Sequence, residues 1–179
     1  MNPTRLRPAA FATAAAALLL ALAGCSSTAS PAASPVATST ASAGVCSGIT
    51  VIVDPGELKV PASAKKTTCV PATSTMTAAE ALKAAKVATV GTKQYGDQVV
   101  CRVNGVPSAD LDIPGKDGSV YHEACEGMPA AFAYWALWLK PAAGEWAYAQ
   151  EGAATQKVAP GESIELLFSL NGKPAGPTT

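Results

Sequence analysis

Hydrophobic and polar positions along the chain change period several times, and each change predicts an element. Ile49-Thr50-Val51-Ile52-Val53 is a β-branched run closed by Asp54-Pro55-Gly56, which predicts a strand and then a turn. Thr77-Ala78-Ala79-Glu80 has the spacing of a capping box, in which the Thr hydroxyl and the Glu carboxylate satisfy backbone N–H groups at a helix start. Met76 stands where a hydrophobic staple would pack on Ala81. Helix formers continue to Lys86 and Gly91 follows, so a helix is predicted over 78–87, with Leu82 and Ala85 towards the core. Gln98–Val103 predicts a second strand, ended by the tight-turn pair Asn104-Gly105. Val106–Gly127 is a long polar loop rich in Asp, Gly and Pro. Ala133–Leu139 and Trp146–Gln150 predict a hairpin turning through Pro141 and Gly144. Ser163–Leu170, entered through Pro160-Gly161-Glu162, is the last strand. One helix over a small mixed sheet makes the folded unit, 45–171, an α+β domain.

The hairpin concentrates aromatic side chains. Of ten aromatics in the chain, six are Phe132, Tyr134, Trp135, Trp138, Trp146 and Tyr148. Alternation in a strand puts Phe132, Tyr134 and Trp138 on one face and Trp135, Leu137 and Leu139 on the other. Both faces are apolar. One can pack under the helix; the other must be covered or must serve as a contact surface. Tyr and Trp join large contact area to a polar handle, so Tyr134, Trp135, Trp138, Trp146 and Tyr148 are the ligand-binding candidates. Core packing is the competing role, and Trp135 leans towards it.

The N-terminus reads as an address. Arg5 and Arg7 precede an Ala/Leu run that ends at Leu22-Ala23-Gly24-Cys25, the layout of a secretory signal peptide over 1–24. Leu-Ala-Gly-Cys also resembles the bacterial lipobox, which implies cleavage after Gly24 and lipidation of Cys25. The expected location is the extracytoplasmic face of the cell membrane, held by acyl chains on Cys25. Residues 26–44 follow, with six Ser, six Ala and three Thr, no charge and nothing larger than Val36. Such a segment cannot bury enough apolar surface to offset its ordering entropy, and it is expected to be a flexible tether. The end of the chain, 172–179, is expected to be a loose tail.

The chain has 179 residues and a formal net charge of zero, and loss of residues 1–24 leaves 11 basic against 13 acidic side chains. That balance argues against a nucleic-acid partner. Five cysteines are present; with Cys25 lipidated, Cys46, Cys69, Cys101 and Cys125 remain, an even number in an exported chain. Three connectivities are open. Cys46–Cys69 with Cys101–Cys125 is favoured, because it closes two local loops of similar length.

No catalytic set is apparent, so an enzyme is not expected, and neither a cofactor nor a metal is implied. His122 stands alone, and no Gly-x-Ser-x-Gly elbow or phosphate-cradling loop is present. Asp110, Asp112 and Asp117 cluster but miss the EF-hand spacing, and no CxxC pair suggests zinc.

An ordered set of motifs carries a resemblance. It runs Thr77-Ala-Ala-Glu-Ala-Leu82, Val100-Cys-Arg-Val-Asn-Gly105, Tyr134-Trp-Ala-Leu-Trp138, Trp146-Ala-Tyr148, Gly152-Ala153 and Val158-Ala-Pro-Gly161. This order is similar to the transcobalamin C-terminal-like β-grasp domain of actinobacterial secreted and lipid-anchored proteins. The resemblance implies a sheet wrapped around one helix. Two departures are Leu137, where the family pattern has an aromatic, and Ile164–Phe168, where it often has a Trp. The fold is implied and cobalamin is not, since the helical domain that shares the corrinoid in the vitamin carrier has no counterpart here. Two functions are therefore expected as alternatives. One is a lipid-anchored, non-catalytic module for a small cofactor-like molecule; the other is an adaptor lipoprotein that docks an exported protein.

Overall fold

A computed structural model describes residues 45–178. The signal peptide over 1–24, Cys25 and the tether lie outside the described residues. The elements run β1 (Ile49–Asp54), β2 (Lys66–Val70), β3 (Met76–Thr77), α1 (Ala78–Ala84), β4 (Thr89–Thr92) and β5 (Gly96–Val103). Then come β6 (Ile113–Pro114), β7 (Val120–Tyr121), β8 (Ala133–Lys140), β9 (Ala147–Tyr148), β10 (Lys157–Val158) and β11 (Ser163–Leu170). The described residues are mostly sheet with one α-helix, an α+β arrangement.

Five strands form the main sheet in the order β2-β1-β11-β8-β9. Only the central β1–β11 pair is parallel; β1–β2, β11–β8 and β8–β9 are antiparallel. Three two-stranded ribbons, β3–β10, β4–β5 and β6–β7, surround it. β1 alternates, with Ile49, Val51 and Val53 buried and Thr50, Ile52 and Asp54 less so. β11 is buried on both faces from Ile164 to Leu170, as a central strand must be. Ile164, Leu166 and Phe168 join Val51, Ala81 and Leu82 in the core between sheet and helix.

The helix start is as expected. The Glu80 N–H donates to the Thr77 hydroxyl at 3.2 Å, and the Thr77 N–H donates to the Glu80 carboxylate at 2.7 Å. The Thr77 N–H, and then the Thr77 hydroxyl donating to the same carboxylate at 2.9 Å, hold the Glu80 carboxyl below its ordinary range. The helix is shorter than the predicted 78–87. It ends at Ala84 because Lys86 turns left-handed, with φ 58°. The Val87 N–H then reaches the Leu82 carbonyl and the Lys86 N–H the Lys83 carbonyl, a Schellman closure. Val87 and Leu82 are both buried there.

Elsewhere the structure is more divided than the pattern predicts. The polar loop 106–127 contains the β6–β7 hairpin, and Lys66–Val70, unassigned from the sequence, is an edge strand. The return of the aromatic hairpin pairs over only Ala147–Tyr148. Both favoured disulfides are present, Cys46–Cys69 and Cys101–Cys125, each with Cα atoms 5.6 Å apart. Beyond β11 the Leu170 N–H bonds to the Lys173 carbonyl, and the chain doubles back. It passes Trp138 so closely that a Cβ at Gly176 would stand 3.2 Å from the indole ring.

Candidate functional site

β8 presents a largely apolar cleft along its outer edge, with a volume of about 650 Å³. That size falls within the range that shelters a small ligand. Tyr134, Trp135 and Leu137 of β8 form one wall, with Leu166 of β11 behind them. Gln98–Val100 of β5 and the segment 151–153 face them, and Met128 and Pro129 close one end. Tyr148 and Met128 are large apolar side chains at this site left 47% and 66% exposed.

Three devices position these walls. The Cys101–Cys125 disulfide ties β5 to the segment leading to Met128, and the Lys93 and Gln94 N–H groups bond to the Cys125 and Glu126 carbonyls at 2.8 and 3.0 Å. Arg102 adds to this, its guanidinium donating to the Pro107 carbonyl at 2.7 Å and the Glu123 carbonyl at 2.6 Å. The segment 151–156 is held by α1, whose first N–H groups, on Ala78 and Ala79, donate to the Gln156 and Ala153 carbonyls. Gly152 lies against β5, where a Cβ would stand 3.2 Å from the Gln98 carbonyl oxygen. A side chain there would have to push the two walls apart.

The aromatic candidates do not form one surface. Tyr134 and Tyr148 line the cleft, and burial together with the nearby Tyr134 raises the Tyr148 pKa above its ordinary value. Trp135 also lines it, yet its side chain is a core group. The indole is 7% exposed, packs edge-on to Phe168 at 5.3 Å and donates its N–H to the Val106 carbonyl at 3.0 Å. Trp138 stacks edge-on with Tyr148 at 5.4 Å but is not part of the cleft wall. Trp146 sits near the hairpin turn with the Lys140 ammonium 5.9 Å from its ring centre, also away from the cleft. Sequence reasoning missed Glu151, Met128 and Gln98. They come from three separate segments with no motif between them; the one motif nearby is Gly152-Ala153.

The other chemistry-bearing groups are spent locally. Cys101, Glu123 and Cys125 stand close enough together to suggest a metal site, but the two sulfurs are joined to each other. The Glu123 carboxylate accepts from the Cys125 N–H and the Tyr121 hydroxyl, each at 2.7 Å. Burial and that bond push the Tyr121 hydroxyl up to about 12. His122 is exposed and meets Asp112 at 2.7 Å. Asp117 accepts from Ser119 within its own turn, and the Asp110 carboxyl is held low chiefly by Ser108. Among the described residues no helix is long and apolar enough to cross a membrane. Comparisons with protein-family models, with curated proteins and with solved structures found no match to this chain.

Proposed function

We propose that the protein is a lipid-anchored, non-catalytic binding module on the extracytoplasmic face of the membrane, and that its ligand seats in the β8-edge cleft. The anchor is Cys25, and residues 26–44 are the tether. The observation that carries the reading is the cleft itself, apolar in its walls and rimmed by exposed Met128 and Tyr148. Apolar side chains left open beside a cleft held by a disulfide and a helix start suit reversible contact with a ligand. Nucleic acid is unsuited to the chain left after cleavage, with 11 basic against 13 acidic side chains.

The β-grasp assignment belongs to the same proposal. A central parallel pair flanked by two antiparallel pairs, with the single helix between the first hairpin and the last strand, supports it. The resemblance to the transcobalamin C-terminal-like domain supports it too. Cobalamin enters by analogy alone, and a corrinoid is the natural first probe. The adaptor reading draws support from the same rim, which a segment of an exported protein would also cover. Tryptophan fluorescence titrated with a corrinoid and a metabolite panel tests the small-molecule form. A saturable change lost in Ala131→Trp, an exposed position on the cleft wall, supports it. No response across the panel counts against it.

A further inference from the structure

We infer that the ligand of the β8-edge cleft is an extended peptide segment bearing a lysine or arginine, which pairs with the main chain of Trp135. This deepens the cleft reading and rests on it. In an antiparallel ladder the N–H and C=O groups of successive residues point to opposite edges. The Asn171 N–H donates to the Phe132 carbonyl at 2.6 Å, so the even-numbered residues of β8 face β11. The odd-numbered residues face outward. The Leu137 carbonyl accepts from the Ala149 N–H, and the Ala133 N–H donates to the Ala130 carbonyl, each at 2.9 Å. β9 pairs only with Trp138 and Leu139.

Trp135 lies between these two bonds. Its N–H and C=O point to the same outer edge, the one on which Leu137 meets Ala149, and neither has a backbone partner among the described residues; the residue itself lines the cleft. A donor and an acceptor side by side match the N–H and C=O of one residue of an extended peptide, a pair that an apolar small molecule does not offer. Ala133 and Leu137, whose edge groups are taken, stand about 13 Å apart at ~3.3 Å per residue, and Trp135 alone is open between them, room for one residue of an extended segment to pair. Alternate side chains of that segment would enter the apolar walls. Among the described residues Glu151 is the single charged side chain on the wall, and it favours a cation on the bound segment. Residues 26–44 carry no charge, so the chain's own tether does not match that carboxylate, and the occupant is another chain.

The test uses the full-length protein and acetylated, amidated heptapeptides that alternate valine and threonine around a central lysine. One twin carries an N-methyl group on the central amide; a second has glutamate in place of lysine. The lysine peptide is expected to bind and to slow hydrogen exchange of the Trp135 amide by about tenfold or more. N-methylation is expected to weaken binding by about tenfold or more, the loss of one well-made pairing. The glutamate twin binds several-fold more weakly, and Glu151→Gln narrows that gap. Equal binding of the N-methylated twin, or an unchanged Trp135 amide, overturns the inference. So does failure of the lysine peptide to bind at millimolar concentration, whatever else binds. A small molecule that still binds, and is lost in Ala131→Trp, leaves the cleft as the ligand site while removing the peptide; ligand binding untouched by Ala131→Trp removes the cleft reading itself.

Discussion

Glu165 of β11 stands directly opposite Trp138 of β8 at the middle of the sheet, and the two share one transverse row. The row crosses all five strands, from Thr67 through Ile52, Glu165 and Trp138 to Tyr148. Glu165 is 3% exposed at its centre. Burial pushes its carboxyl up to about 7; Asp54 adds to the rise and Lys65, paired with Asp54 at 2.6 Å, opposes it.

The first prediction follows from that rise. In the unfolded chain the carboxyl ionises near its ordinary value of 4.5, whereas in the folded chain it holds its proton to about 7. Between these values the native state binds more protons than the unfolded one, so stability falls as pH rises. Urea midpoints should therefore decline from about pH 4.5 to 7 and then level off, with a loss on the order of 3 kcal/mol at most. Glu165→Gln should flatten this slope and be at least as stable as the parent at pH 7.5. A slope of the same size in the variant would assign the dependence to other groups.

Trp138→Ala should destabilise the domain by about 2 kcal/mol, less than for a fully buried Trp. It should leave ligand affinity within about twofold, a difference well below 1 kcal/mol. The residue lies outside the cleft wall, and its ring is flanked by Tyr148 and the 176 backbone. Tyr134→Ala should do the reverse, weakening binding more than folding. Calorimetric binding beside urea unfolding separates the two effects.

Local signals in the sequence reported the local structure. The Thr77/Glu80 spacing placed the helix start, β-branched and aromatic runs placed β1, β8 and β11, and loop lengths favoured the observed disulfides. The helix end was not legible, because Lys86 takes the left-handed position usually held by Gly. β2 escaped notice because Lys66-Thr67-Thr68 is an exposed edge whose partner is set only by folding. The cleft was half legible. Tyr134 and Tyr148 were candidates from composition, but strand parity alone could not say that β9 stops after two residues and leaves the Trp135 main chain open. Glu151, Met128 and Gln98 meet only through tertiary contacts.

The two disulfides should separate stability from binding. Each closes a loop of 23 or 24 residues, and its removal by a double Cys→Ser change should cost about 3 kcal/mol in the chain-entropy account. Losing Cys46–Cys69, at the far side of the sheet, should leave affinity in the cleft unchanged in the folded fraction. Losing Cys101–Cys125 should also weaken binding, because it frees the segment leading to Met128 from β5. Equal effects on binding would contradict the assignment of the cleft wall.

Anchoring is tested in cells. Cys25→Ser should move the protein from the membrane fraction to the soluble or secreted fraction, read by fractionation and immunoblot. Retention at the parental level would contradict lipidation at Cys25.

The most direct measurement is amide chemical-shift mapping of the isotopically labelled protein during titration with the lysine heptapeptide and, separately, a corrinoid. If the β8-edge cleft is the ligand site, the saturable shifts should cluster at Tyr134–Leu137, Gln98–Val100 and 151–153. They should be absent around Lys140 and Trp146 and lost in Ala131→Trp. Saturable shifts that instead centre on Trp146 or Trp138, or that persist unchanged in Ala131→Trp, would contradict the account.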